Sequence, residues 1–105
     1  VRKVYKEKYE IAIKCVEKYI PSAEIFGEGG LHIFIRIKGL DSRKLLNSCM
    51  KNGVIFTPGD IFYTDGQGKD TFRLGFARLS DAEIEKGIKI IGEEACKYKT
   101  CLTNL

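Results

Sequence analysis

Apolar positions in the first twenty residues recur at helical spacing. Tyr5, Tyr9, Ala12, Val16, Tyr19 and Ile20 form one stripe, with Ile11 and Cys15 beside it, and this predicts a helix over residues 2–20. Glu10 and Lys14 add a supporting pair one turn apart. Pro21 ends the helix, because its ring cannot continue the hydrogen-bond ladder. The period then changes from 3.6 to two. Residues 23–26 read as a short strand and Gly27-Glu28-Gly29-Gly30 as a turn. Leu31, Ile33, Ile35 and Ile37 alternate with His32, Phe34 and Arg36, the clearest strand pattern in the chain.

Asp41 is placed to cap a second helix and Gly53 to end it, with Leu45, Leu46, Cys49 and Met50 as its apolar stripe. Residues 54–57 then read as a short buried strand. Pro58-Gly59-Asp60 is a turn, Ile61-Phe62-Tyr63 a brief apolar segment, and residues 64–70 a polar loop containing glycine. From Thr71 to Arg78 the alternation returns, with Phe72, Leu74 and Phe76 on one face and Arg73, Gly75 and Ala77 on the other. Ser80-Asp81-Ala82-Glu83 is a capping box, so a final helix starts there, with Ile84, Ile88, Ile91, Ala95 and Cys96 as its buried stripe. Residues after Lys99 read as a frayed end. The expected fold is α+β: a small two-layer domain with helices on one face of a mixed or antiparallel sheet.

The 105 residues suit a single domain over 1–105, able to bury roughly 65% of the unfolded chain's surface. Hydrophobic residues at 44% and charged residues at 30% exclude collagen-like, low-complexity and disordered classes. No apolar run nears the ~18 residues of a membrane span, and the first residues hold no signal-peptide core. A cytoplasmic location is therefore expected. The chain begins without methionine and enters a helix with no cap, as a fragment of a longer protein or an expression artefact does. Eighteen basic against fourteen acidic residues give +4. Arg2, Lys3, Lys6 and Lys8 hold much of the basic charge, but Glu7 and Glu10 interrupt it, which favours a solvated helix face over a nucleic-acid footprint. Cys15, Cys49, Cys96 and Cys101 form no C-x-x-C pair and there is one histidine, so reduced thiols are expected and no metal site.

Few positions invite chemistry. His32 has no neighbouring nucleophile motif and reads as a partly buried structural residue. The pairs Asp81/Glu83 and Glu93/Glu94 read as solvated charge. Gly66-Gln67-Gly68-Lys69-Asp70 fails as a phosphate loop: Asp70 stands where Ser or Thr should meet magnesium, and Tyr63 stands where the first glycine should be. Phe72 and Phe76 share a face with Leu74, so they read as core and not as a base-stacking platform. Arg73 is the exception. It sits in an apolar strand beside Gly75 and Ala77, and either snorkels to solvent or grips an anion.

The stretch from Glu28 to Ala95 resembles a known family. Glu28-Gly29-Gly30-Leu31 is similar to the "E-G-G-hydrophobic" strand of fold-type I aminotransferases, and the run from Gly53 to Phe62 to their "G-V-x-x-x-P-G-x-x-F" segment. Thr71-Phe72-Arg73-Leu74-Gly75-Phe76 resembles their "R-L-x-F" strand, and Ser80 to Ile91 their final capped helix. The order matches the C-terminal small domain of pyridoxal-phosphate-dependent class I/II aminotransferases, nearest the 2-aminoadipate type and GntR-type regulators with an aminotransferase-like domain.

The resemblance implies that Arg73 binds the α-carboxylate of an amino-acid substrate. It implies that Phe62 lies near the substrate entrance, with core packing as its alternative, and that Gly30 allows a close turn. It also implies a large domain, absent here, that holds pyridoxal 5'-phosphate in the full-length protein. Residues 1–20 would be the connector helix from that domain, and residues 23–98 the small domain. No segment matches the lysine, aspartate or phosphate-binding motifs of the large domain, so this chain alone is expected neither to hold the cofactor nor to transaminate. The expected partners are the large domain and amino-acid or 2-oxo-acid substrates, with self-association to a homodimer through exposed apolar surface. Nucleic acid would be met only through an N-terminal domain outside this chain. The rival readings are an effector domain of a regulator, a stand-alone anion-binding module, and a nucleic-acid binder.

Overall fold

The computed structural model describes residues 2–26 and 32–103, with side chains described at 6–26 and 32–98. The predicted turn at Gly27-Glu28-Gly29-Gly30, the start of the strand at Leu31, the side chains of Arg2, Lys3 and Tyr5, and Cys101 lie outside these. Helix α1 spans Arg2–Tyr19, strand β1 Glu24–Phe26, β2 His32–Arg36, helix α2 Ser42–Met50, β3 Thr57–Pro58, β4 Thr71–Gly75 and helix α3 Asp81–Thr103; a 3-10 turn, Gly59–Phe62, joins β3 to the loop before β4. The four strands form one sheet in the order β1-β2-β4-β3, and every neighbouring pair is antiparallel. No described helix is long and apolar enough to cross a membrane.

The sheet buries one face beneath the helices. Ile33, Ile35 and Ile37 of the β2 run and Phe72, Leu74 and Phe76 of the β4 run are all buried, as their alternation requires. They meet Ala12, Cys15, Val16 and Ile20 from α1, Leu45 and Cys49 from α2, and Ile84, Ile88, Ile91 and Ala95 from α3. Tyr9 of α1 reaches the end of β4, its ring 6.3 Å from that of Phe76. The helices also hold one another. Tyr19 donates a hydrogen bond to Glu85 at 2.7 Å, and Tyr98 bonds both the Ser48 hydroxyl at 2.7 Å and the Lys44 carbonyl at 3.1 Å. At the crossing of α1 and α3, Gly92 lies so close to Tyr19 that a Cβ would collide with its carbonyl oxygen.

The local signals act as their chemistry predicts. Asp41 caps α2 by accepting from the Arg43 and Lys44 amides at 3.0 and 3.3 Å. Gly53, at φ 82°, closes the turn after α2. The capping box closes reciprocally: the Glu83 amide donates to Ser80 Oγ at 3.2 Å and the Ser80 amide to Glu83 Oε1 at 2.9 Å.

Several expectations are corrected. The buried strand expected at 54–57 is only Thr57–Pro58, and Ile55 is 73% exposed. Gly53 and Pro58 leave the segment too short to pair along its length; Val54 packs partly against the core and Phe56 turns fully inward, its ring 4.4 Å from that of Phe72. Met50 is half exposed and Cys96 exposed. Each sits one residue past a buried position of its helix, a rotation of about 100° away from the core. In α3 the buried Gly92, one turn after Ile88, takes an inward place the apolar stripe omitted. His32 is exposed, not partly buried, because no helix covers its face of β2. Lys8 is not simply solvated, since its ammonium donates to the Ala77 carbonyl at 3.2 Å. The expected fraying after Lys99 gives way to helix as far as Thr103, with no proline or glycine to stop it.

Candidate functional site

The second face of the sheet carries no helix. Antiparallel register places Phe26 opposite Phe34, Phe34 opposite Arg73, and Arg73 opposite Thr57, so these four share one row across β1, β2, β4 and β3. Arg73 is thus raised from the middle of the open face, half-buried, with the exposed Gly75 as its neighbour along the strand. It does not lie beneath a helix.

A chain of three phenyl rings leads to this position. Phe26 stacks on Phe34 with centroids 5.6 Å apart, and Phe34 meets Phe62 edge-to-face, also at 5.6 Å. The Arg73 guanidinium carbon lies 5.0 Å from the centroid of Phe62. The two site residues singled out in the sequence are therefore in contact. Phe62 is 46% exposed, which corrects its core-packing alternative.

Two other arginines near this face are each closed by an acid. Arg36 donates to Asp70 at 3.0 Å, and Arg43 forms a fork with Asp60 at 2.7 and 2.9 Å. The hydrogen bond from Arg43 keeps the Asp60 carboxyl below the usual carboxylate range. Arg73 has neither a hydrogen bond nor an ion pair among the described residues. None of its five donors is taken by a described residue.

The 3-10 turn reaches this site because its start is pinned to β4. Gly59 packs directly on Thr71, where a Cβ would collide with the threonine hydroxyl and lie 2.8 Å from its Cβ. Thr71 itself donates to the Gly68 carbonyl at 2.7 Å, closing the base of the polar loop. A groove of about 880 Å³ lies elsewhere, between β1 and that loop. Phe26, Arg36, Tyr63, Lys69 and Asp70 line it; Arg73 does not, and of the groove's two cations Arg36 is closed by Asp70.

Sequence reasoning found Arg73 and Phe62 but missed Phe26, Phe34, Thr57 and the Arg43–Asp60 fork as their supports. The alternation of β2 had already placed Phe34 on the polar face, which was the available signal. Nothing local in sequence joins Arg43 to Asp60, which lie on different elements.

No protein-family model matches the chain. It is 33% identical over 96 residues, 89% of its length, to an uncharacterized aminotransferase of Saccharolobus solfataricus. It is 29% identical over 98 residues to an uncharacterized HTH-type transcriptional regulator of Bacillus subtilis. The chain spans 24% of the length of the first relative and 20% of the second. Among solved structures, the kynurenine aminotransferase of Pyrococcus horikoshii matches 92% of the chain with TM-score 0.85 and 32% identity, over 25% of its own length. The α-aminoadipate aminotransferase of Thermus thermophilus, complexed with N-(5'-phosphopyridoxyl)-L-leucine, matches 99% of the chain with TM-score 0.84 and 26% identity, over 27% of its own length. In both sequence and architecture, then, this chain is a small aminotransferase-like domain.

Proposed function

We propose that this chain supplies the carboxylate-binding side of an amino-acid aminotransferase site, with Arg73 as the group that takes the substrate's α-carboxylate. What carries this reading is Arg73 itself: a half-buried guanidinium on an open sheet face, seated on a ring and without an acidic partner among the described residues. Its planar fork matches a carboxylate through two parallel charge-assisted hydrogen bonds, each contributing roughly 1.5–3 kcal/mol. Fixing one end of the substrate orients its amino group for transfer to a 2-oxo acid, which is a proximity contribution. Phe62 would border the bound substrate.

The described residues do not by themselves fit pyridoxal phosphate. A lysine for that cofactor needs a sheltered amine, and every lysine with a described side chain is exposed except Lys8, whose ammonium is engaged by the Ala77 carbonyl at 3.2 Å. The cofactor, which supplies the electron sink for transamination, would be held by a larger domain of the full-length protein. In that protein, Arg73→Ala should raise KM for amino acids and lower kcat/KM by about tenfold or more. Unchanged kinetics would remove Arg73 from the site.

The regulator among the relatives supports a second reading, an aminotransferase-like effector domain attached to a DNA-binding domain. There the same arginine would bind an amino acid without turnover. The two readings separate by whether the full-length protein converts its ligand or only changes its affinity for DNA on binding it.

A further inference from the structure

We propose that Phe62 is a positioning residue for Arg73, holding the guanidinium in a binding orientation without consuming its hydrogen-bond donors; this rests on the carboxylate-binding reading and adds how that group is preorganised. A free arginine side chain samples many rotamers, and clamping a carboxylate removes that freedom. The protein fixes Arg36, on the same face of β2, with Asp70, and Arg43, on α2, with Asp60. An acid at Arg73 would occupy the donors that a ligand carboxylate needs. A phenyl face attracts the cation through its quadrupole and leaves the N–H edge open.

The ring is itself held from several sides. Phe62 meets Phe34 at an interplanar angle of 73°, and Phe34 stacks on Phe26. The 3-10 turn that carries Phe62 is tied to α2 by the Arg43–Asp60 fork. Arginine and ring come from different elements, one on the sheet and one on a pinned turn. Their approach to 5.0 Å is therefore a property of the assembled fold.

The test uses the whole chain labelled with ¹⁵N, the Arg73 Nε–H signal as readout, and acetate as the carboxylate probe. Arg73→Lys assigns the signal by removing it. In the wild type the signal should carry a ring-current shift and move saturably with acetate. Phe62→Leu should abolish the shift and weaken acetate binding about three- to tenfold; Phe62→Trp, which keeps a ring face, should preserve both. A Phe62→Leu variant with the wild-type shift and affinity overturns the proposal. Should Phe62→Leu fail to fold, loss of the ring-current shift in Phe62→Trp overturns it, and its retention supports it. If acetate leaves the wild-type signal unmoved, the carboxylate reading fails, and the ring-current comparison alone then decides whether Phe62 seats Arg73.

Discussion

Arg43 on α2 and Asp60 in the 3-10 turn meet in a two-point fork, Nε to Oδ2 at 2.7 Å and Nη2 to Oδ1 at 2.9 Å. Two parallel bonds between planar groups fix orientation as well as distance. The fork bridges α2 to the far end of the short strand β3. Its effect is to hold the turn that carries Phe62, and through that ring it bears on Arg73.

The fork predicts a pH dependence at a distance. Hydrogen bonding from Arg43 lowers the Asp60 pKa, with burial opposing and the charges of Arg43 and Lys69 adding. An acid lowered in the folded state contributes stability above its unfolded value, about 3.9, and that contribution is lost as pH falls through the folded value. The Phe62 ring resonances should therefore hold steady from about pH 7 to pH 5 and move only below about pH 4. Asp60→Asn should remove that acid titration and shift the Arg73 Nε–H signal already at neutral pH. NMR spectra across the pH series of both proteins check this.

Two glycines in α3 should respond to alanine with opposite signs. At Gly92 a Cβ collides with the Tyr19 carbonyl oxygen and lies 3.1 Å from its carbonyl carbon, both backbone atoms of a packed helix. Backbone cannot rotate aside, so α1 and α3 must separate, at a cost of about 1–3 kcal/mol. At Gly87 a Cβ meets nothing within 4 Å. Alanine there gains up to about 1 kcal/mol from reduced backbone freedom in the unfolded chain. Urea denaturation of the two variants measures both changes, and a Gly92→Ala protein as stable as wild type would contradict the crossing described here.

What the sequence made legible was what neighbouring residues decide among themselves. Ser80 and Glu83 announce a helix start because both capping bonds close within four residues. Leu74 and Phe76 declare their face because a strand alternates whatever surrounds it. The same alternation put Arg73 on the opposite face, and the family resemblance gave it a role. Phe62 was placed near the site by resemblance alone; its contact with Arg73 requires β4 and the 3-10 turn to be brought together, which no local pattern encodes. Ile55 misled for a related reason: an apolar run of three predicts burial, but a segment between Gly53 and Pro58 is too short to lie flat against the core.

The capping box gives a third expectation. Ser80→Ala removes the acceptor for the Glu83 amide and should cost about 1 kcal/mol. Glu83 keeps its bond from the Ser80 amide, the chief cause of its lowered pKa, but loses the next, the bond with the Ser80 hydroxyl, so its pKa should rise only part of the way to its ordinary value. Thermal unfolding measures the first effect and carboxyl NMR the second. A variant that loses stability and returns the Glu83 pKa all the way to its ordinary value would mean that the whole helix start had unwound.

Cysteine reactivity provides a last check on the core. Cys49 is fully buried under α3, and burial, with the charge of Glu94 adding, pushes its thiol up to about 12. Cys15 is raised in the same direction, also chiefly by burial. The thiolate is the reacting species, so at pH 8 both are kept inert by protonation as well as by shielding. Iodoacetamide at that pH should leave Cys49 unmodified in the folded chain and label it in urea, with the protected fraction falling along the global unfolding curve. Labelling of Cys49 well before global unfolding would show that α2 opens separately from the rest. The Arg43 end of the fork would then be loose in the native ensemble, and the fixed seat derived for Phe62 and Arg73 would lose its support.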